Sequence, residues 1–516
     1  MERLPEPFNA AAFFVDRHVT EGRAHRTAFR FAGHAVSYGE LAASVDRCGN
    51  ALAALGVEME QRVLLALDDT PAFAAMFWGA VKIGAVAVPV NTLMSERDYG
   101  FLLEDSRARV AVVSPAVAPR LLAVRGRSRF LREVVVAGTP PAGAVALDDV
   151  LASAKPALEP APTVREDVMY WGYTSGSTGR PKAAVHSHKD LMAAAQLVGQ
   201  GIFGLRADDL VFSASKMFFA FGLGNTLYFP ALVGAASTLV PERLDAERAF
   251  EVISTERPTV FFAVPTLYAR MLAVEDAERR FDVASLRYCV SSGEPLPPAI
   301  FDGWSDRFGL ELVEVVGSTE ALHDFIANRP GAARRGAAGL VVPGFETRLV
   351  DDAGAAVATG AVGHLLVKGE TISPYYWNRL ERTRATMLGP WLRTGDMFSQ
   401  DAEGYFHFAG RADDMLKVAG QWVSPAEVEA HLVDHPAVLE AGVAGVPDAA
   451  GLLKAHAFVV LKSGWRGSDT LRAELTAFVR AHGAAYKAPA AVHFVEDLPK
   501  TETGKIQRFR LRELAT

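Results

Sequence analysis

Between Tyr173 and Lys182 the chain reads Tyr-Thr-Ser-Gly-Ser-Thr-Gly-Arg-Pro-Lys. This run gathers the hydroxyls of Thr174, Ser175, Ser177 and Thr178, two glycines at Gly176 and Gly179, and the ammonium of Lys182. Glycines let backbone N–H groups approach an anion, and hydroxyl and ammonium donors complete a cradle for phosphate oxygens. The glycine–lysine spacing is not that of the GxxxxGK[ST] phosphate loop. Taken alone, the run would also serve as a solvated turn. Five further runs combine a glycine with charged side chains: Ser291-Ser-Gly-Glu-Pro-Leu296 (with Gly293, Glu294 and Pro295), Glu314-Val-Val-Gly-Ser-Thr-Glu320, Arg393-Thr-Gly-Asp396, Gly410-Arg-Ala-Asp-Asp-Met-Leu-Lys417 and Pro499-Lys-Thr-Glu-Thr-Gly-Lys505.

The elements that must position these runs follow from hydrophobic periodicity. Tyr38 to Leu55 has helical spacing and stops at Gly56, Arg62 to Leu67 is a short apolar strand, Pro71 to Ile83 is helical again, and Ala85 to Val90 is another strand. Alternation of this kind predicts parallel sheets covered by helices, an α/β fold. Thr139 to Thr163, rich in Pro, Ala and Gly, reads as a surface connection before the strand beginning at Val168. Thr259 to Val264 and Leu286 to Val290 repeat the buried-strand pattern. Beyond about residue 340 short strands at Leu365 to Gly369 and Tyr405 to Phe408 lie between turn signals. From Gly410 the pattern is compact α+β, with helices at Pro425 to Val433 and Thr470 to His482. A boundary near Asp413 divides the chain into a large domain, 1–412, and a small one, 413–516.

Bulk properties exclude several classes. The 516 residues are 50% hydrophobic and 22% charged, with a net charge of −7 and no basic block of the kind that tracks nucleic acid. The densest basic stretch, Lys505 to Arg512, reads as a solvated, alternating edge segment; attraction of an anionic ligand is the functional alternative. Cys48 and Cys289 lack metal-ligand or CxxC neighbours, which points to a reducing, cytoplasmic compartment. No secretory pattern opens the chain. The uncharged stretch Phe221 to Val240 is long enough to span a bilayer, but Gly222, Gly224, Asn225, Pro230 and Gly234 suit a buried helix, turn and strand instead.

The six runs, in this order and over nearly the whole chain, resemble the signatures of the acyl-adenylate-forming (AMP-binding) superfamily. The resemblance implies a large domain of helix-covered sheets with a β-barrel-like subdomain and a small mobile α+β domain. It implies ATP, Mg²⁺ and coenzyme A, the last as a substrate. On the matching positions it assigns the phosphate loop to Thr174–Gly179 and Lys182, the adenine border to Gly293, Glu294 and Pro295, further ATP or AMP contacts to Glu314 and Val316, and the α-phosphate contact to Thr319, with Thr178 a further donor. Glu320 reaches the metal, Asp396 the ribose hydroxyls and Arg411 a ribose or phosphate oxygen. Lys505 is the catalytic lysine, Asp413 the hinge, and Lys417 and Gly420 line the coenzyme A path. The chemistry is coherent: a carboxylate attacking a phosphate brings two anions together, so the site must neutralise charge and needs no general base.

Ser213 to Asn225, Pro265 to Tyr268, His323 and Gly420 to Glu429 are similar to the benzoate–CoA ligase group within that superfamily. This implies an aromatic carboxylate as the acid, held among Phe219, Ala220, Phe221, Val315, Gly317 and His323, with aromatic walls stacking on a flat ring. Two departures matter. Benzoate ligases carry Tyr where this chain has Phe221, and Gly where it has Val315. A stand-alone enzyme loading a carrier protein shares every motif and stays open as the alternative. No carrier helix follows residue 516. Neither nucleic acid nor membrane is expected as a partner, and the sequence allows a homodimer without specifying one.

Overall fold

The computed structural model describes residues 4–175, 181–418, 421–448, 453–482, 487–500 and 506–515, without the side chains of Ser175, Lys417, Val418, Gln421 and Phe509. Two large sheets form the greater part. One has seven strands in the order Val145–Ala146, Glu133–Val136, Val110–Val113, Arg62–Ala66, Val86–Pro89, Val168–Ser175 and Pro181–Ser187. All neighbours are parallel except the last pair. The other has nine strands, with a parallel centre from Thr27–Phe31 to Leu312–Gly317 and an antiparallel pair or pairs at each end. Strands such as Val110–Val113 and Val260–Ala263 are buried on both faces, which is why they read as unbroken apolar runs rather than alternating ones.

Local chemistry sets the helix ends. Ser37 and Glu40 form a reciprocal capping box at the start of Tyr38–Ala54, and Pro71 opens Pro71–Lys82. These two helices cross so closely that a Cβ on Gly79 would lie 2.8 Å from the Gly49 nitrogen. The crossing carries a buried charge. Lys82, 3% exposed, donates to Asp16 at 2.9 Å and also to Asp46.

The expected boundaries hold to within two residues for most elements. Phe221 to Val240 is the anticipated buried sequence of short helices, a left-handed Gly234 and the strand Ala236–Thr238. No helix among the described residues is long and apolar enough to cross a membrane. Two expectations fail. The Pro/Ala/Gly-rich stretch after Thr139 is not merely a connection: it adds the strand Val145–Ala146 to the edge of the seven-stranded sheet and the helix Leu147–Ala152, whose Leu147 is buried. The basic tail is not an alternating edge. Residues Arg508–Leu514 are helical, because this form lets Leu511 bury fully against Ala444, Phe458 and Leu498.

By packing, the chain divides into two units, Met1–Glu346 with Val367–Leu392, and Thr347–Leu366 with Arg393–Thr516. Where a barrel-like subdomain was expected, a five-stranded sheet is found, containing Gly363–Lys368, Trp391–Gln400 and Phe406–Arg411. The second unit also holds a three-stranded sheet of Val438–Pro447, Leu453–Leu461 and Ala491–Phe494. The helices Pro425–Val433 and Asp469–His482 share a core with it.

Lys82→Ala would strand two carboxylates, so a loss of about 3–5 kcal/mol in unfolding free energy is expected, as for other broken buried pairs. Denaturant melts should show it, and adding Asp16→Asn and Asp46→Asn should restore most of it. A single variant within 1 kcal/mol of the parent would mean that the pair is inconsequential.

Candidate active site

The hydroxyl-rich run joins two antiparallel strands. Val168–Ser175 and Pro181–Ser187 are in register with Thr174 opposite Lys182, so the connection is a hairpin rather than the strand-to-helix turn of a P-loop. Gly176, Ser177, Thr178 and Gly179 lie outside the described residues, as does the side chain of Ser175. The hairpin's position is fixed from below by Gly172. A Cβ there would overlap the methyl of Thr319, so glycine is what lets the Thr319–Ala321 turn sit against the face of the strand that also presents Thr174.

That turn brings the first group of expected residues together. Lys182 Nζ lies 3.1 Å from Glu320 Oε1, with both side chains about as buried as each other at 14% and 13% exposed. Burial alone would raise the Glu320 pKa, but the Lys182 ammonium and the Tyr376 hydroxyl outweigh it and hold the carboxyl below its ordinary value. The glutamate therefore stays charged. Tyr376, a residue the sequence reading missed, donates to Glu320 Oε1 at 2.6 Å and accepts from Lys182 at 2.6 Å. His186 was missed as well. Its Nε2 meets the Thr319 carbonyl at 2.8 Å, while Nδ1 faces Asp190 at 3.2 Å. The one local signal for this pair was the His-x-x-x-Asp spacing across the junction from the strand Pro181–Ser187 to the helix His188–Ala194, whose first turn carries Asp190.

Leaving the turn, Leu322 adopts φ 66°, ψ −39° and is fully buried. A bulky residue there stores strain of about 1–3 kcal/mol, tolerated because its neighbours are bonded on both sides: Ser318 N donates to the His323 carbonyl and Leu322 N to that of Thr319. The reversal folds His323 back over Gly317, where a Cβ would sit 2.7 Å from Asp324 Oδ1. His323 is 3% exposed. Its Nδ1 is 2.8 Å from Asp324, its Nε2 has no hydrogen-bond partner, and its ring lies 5.5 Å from Phe221 and 4.4 Å from Phe229. Phe221 also meets Phe262 edge-on at 6.1 Å.

The other expected acid-site residues divide. Ala220 starts the helix that carries Phe221. Phe219 does not join the ring cluster: it packs on Phe218 at 4.7 Å and is 45% exposed. Val315 is 1% exposed and in register with Ala327, whereas the strand opens outward only at half-buried Val316 and exposed Gly317.

Glu314, on the same strand, is 7% exposed and accepts from the Leu296 amide at 3.0 Å, which ties the Gly293–Pro295 segment to the strand. Burial pushes its pKa up to about 7. Gly293 has φ +87°, a left-handed turn that glycine favours, and Glu294 accepts from Thr266 at 2.9 Å.

In the second unit, Asp396 and Arg411 face each other across a hairpin, with Arg411 donating to Asp396 at 2.7 Å. Gly395, within the strand Trp391–Gln400, has φ +80°, a conformation glycine favours, and a Cβ on it would stand 3.1 Å from the Arg411 guanidinium. Asp413 is exposed in the turn that follows. Lys417 lies on the strand Leu416–Val418, but its side chain, Gly420 and Lys505 lie outside the described residues. Nearby, Arg508 binds both oxygens of Glu429 at 2.8–2.9 Å and reaches Asp414 at 3.3 Å.

A charged carboxylate and a lysine, a few residues along the chain from a cluster of aromatic rings, suit an enzyme that acts on an organic acid. Residues 15–377 match the AMP-binding enzyme family and residues 427–505 its C-terminal domain, so the chain belongs to that family. It stands within the benzoate–CoA ligase group. It is 45% identical to the benzoate–CoA ligase of Thauera aromatica over 99% of this chain and 97% of the relative. It also resembles the crystal structure of a benzoate CoA ligase from Burkholderia xenovorans LB400, with TM-score 0.88, 43% identity, and 98% and 100% of the two chains covered. The structure of the anthranilate CoA ligase AuaEII in complex with anthranoyl-AMP matches with TM-score 0.92, 41% identity, and 99% and 98% covered.

Glu314 generates a pH prediction. Its folded pKa of about 7 stands above the ordinary 4.5. The folded state therefore holds a proton that the unfolded state has lost, and stability falls as pH rises between these values. At most about 3 kcal/mol is at stake. Glu314→Gln, which keeps an acceptor for Leu296 but no titration, should flatten the decline in thermal midpoint from pH 5 to pH 8. Parallel profiles for the two proteins would refute the assignment.

Proposed function

We propose that this chain is an AMP-forming acid–thiol ligase for aryl acids. It joins an aromatic carboxylate to ATP, giving the aroyl-adenylate and pyrophosphate, and then passes the aroyl group to coenzyme A with release of AMP. The carrying observation is contiguity. One short segment, Gly317–His323, supplies both the charged Glu320 beside Lys182 and the His323 ring beside Phe221. A carboxylate whose ring lies against that wall has its oxygens directed to the phosphate side. The relatives 41–45% identical over nearly the whole chain are named as CoA ligases, which disfavours a carrier-loading role.

In this reading an acid oxygen attacks the α-phosphorus and the P–O bond to pyrophosphate breaks. Thr178, Thr319 and Lys505 donate to the phosphate oxygens, and Lys182 with Ser175, Ser177 and the Gly176 and Gly179 amides holds the departing pyrophosphate. Asp396, fixed by Arg411, accepts the ribose hydroxyls, and Gly293, Glu294, Pro295, Glu314 and Val316 border the adenine. Among the described residues no three His, Cys, Asp or Glu side chains are grouped for a metal. A lone charged carboxylate at Glu320 nevertheless fits magnesium, which takes one or two carboxylates and completes its shell with phosphate oxygens and water. When bound, the ion supplies charge neutralisation. In the second step the coenzyme A sulfur attacks the aroyl carbon, AMP departs and the thiol proton is released. Rotation about Asp413 exchanges the Lys505 face for the Lys417–Gly420 loop along the thiol path. The buried, unpaired cysteines Cys48 and Cys289 suit a reducing, cytoplasmic setting.

Benzoate or a substituted benzoate is the acid. Phe221 brings no hydroxyl to the ring, and Val315 fills the strand where benzoate ligases have glycine. A stiff β-branched side chain there costs an entering bulkier ring about 1–3 kcal/mol. Coenzyme A ligation should therefore run with benzoates in preference to short aliphatic acids. Val315→Gly should raise kcat/KM for para- and meta-substituted benzoates about ten- to a hundred-fold relative to benzoate. Preference for aliphatic acids would overturn the substrate class, and an unchanged ranking with a lowered thermal midpoint would leave Val315 as a strand residue only.

Lys505→Ala should abolish most adenylation yet spare thioester formation from supplied aroyl-adenylate, because the lysine serves only the first step. The two half-reactions are assayed separately by pyrophosphate exchange and by coenzyme A acylation. Equal losses in both would refute the division of labour between two faces.

A further inference from the structure

The Glu320 carboxylate and the Lys182 ammonium come from elements far apart in the chain, and neither is held in place by the phosphate hairpin alone. A third element reaches both. Residues 371–377 lie along the edge of the strand Pro181–Ser187: Trp377 N donates to the Ala183 carbonyl at 3.0 Å, and Val185 N donates to Ser373 Oγ at 3.0 Å. The same segment grips the Thr319–Ala321 turn. Thr371 Oγ1 donates to the Ala321 carbonyl at 2.7 Å, and Ser373 N donates to that of Glu320 at 2.8 Å. The Trp377 ring packs 4.6 Å from Trp171, and its indole nitrogen donates to the Asp105 carbonyl, which anchors the far end.

At the centre of this strap stands Tyr376, 2% exposed. Its oxygen accepts from Lys182 and its proton goes to Glu320 Oε1, both at 2.6 Å, and the Lys182 nitrogen lies 4.0 Å from its ring centre. A hydroxyl that accepts from one charge and donates to the other has a single satisfied rotor position. It therefore fixes the separation and the direction of both charges at once. We infer that Tyr376 is a positioning residue for adenylation: its hydroxyl sets the Glu320 carboxylate for magnesium and the Lys182 ammonium for the outer phosphates, before nucleotide arrives.

This inference rests on the proposed nucleotide role of Glu320 and Lys182. Phenylalanine keeps the ring, its packing and its contact with the Lys182 stem, and removes only the atom that links the two charges. Without that hydroxyl the two charges keep only their direct 3.1 Å contact, and the direction each presents to an arriving nucleotide is no longer fixed. The effect falls on MgATP and leaves the acid, and the coenzyme A step, untouched.

The test is Tyr376→Phe in the full-length protein. In pyrophosphate exchange with benzoate, KM for MgATP should rise about tenfold, the scale of one hydrogen bond to a charged partner. KM for benzoate should stay within about twofold, and acylation of coenzyme A from supplied benzoyl-adenylate should be unchanged. Independently of turnover, calorimetric titration with a non-hydrolysable ATP analogue should show that magnesium strengthens binding in the parent and does so much less in the variant, with AMP bound equally by both. Equal magnesium enhancement in the two proteins would overturn the role, as would parallel losses for ATP and acid with a lowered thermal midpoint. If the parent exchanges pyrophosphate with no aryl acid, the functional reading fails, while the nucleotide titration still decides the role of Tyr376.

Discussion

A buried carboxylate that must remain charged is the constraint around which the first unit is arranged. Glu320 is taken from water at a large desolvation cost, and that cost is offset only because an ammonium and a phenolic hydroxyl meet it at hydrogen-bonding distance. Lys182 reaches it from the hairpin strand and Tyr376 from the strap. Gly172 gives the turn room to approach, and His186 holds the adjoining carbonyl. The parallel sheets supply the rigidity that makes such an arrangement repeatable.

The strained backbone at Leu322 links this charge site to the cluster of rings. A chain leaving the Thr319–Ala321 turn in an ordinary conformation would carry His323 away from Gly317. The left-handed step instead turns it back beneath the aromatic rings. The site thus joins a polar half, built from hydroxyls and opposed charges, to an apolar half, built from Phe221, Phe229, Phe262 and His323, across five residues. An aryl carboxylate has the same division in its own structure, a flat apolar ring and an anionic end. That match in polarity, more than any single contact, is the physical basis of the functional reading.

The second unit uses smaller devices for a comparable purpose. Across the Trp391–Gln400 and Phe406–Arg411 hairpin, cross-strand register puts Arg411 on Asp396, so the carboxylate is oriented by its neighbour. Leu511 closes a small core, and Arg508 ties the tail helix to Glu429 and Asp414. The tail's charges are structural here as much as electrostatic.

Local chemistry was enough to announce the strand that leads into the hydroxyl-rich run, the helix Tyr38–Ala54 and the parallel strands. Glycine, hydroxyl and apolar periodicity act over a few residues and are visible wherever they occur. The helix at Arg508–Leu514 was hidden because its stability comes from Leu511 docking on a distant sheet, which no local pattern encodes. How far Phe219 is exposed and Val315 buried could not be read from their positions in the sequence, since the surroundings of a side chain depend on the packing around its strand or helix. Tyr376 could not have been found at all from the sequence. It stands 56 residues from Glu320 and 194 from Lys182, and the hydrogen bonds that join the three exist only once the strap lies along the hairpin strand. The sequence by itself determined which groups were available and the short turns that display them. The tertiary structure decided which charges meet and which side chains face the site, because those choices depend on contacts between segments that are far apart in the chain.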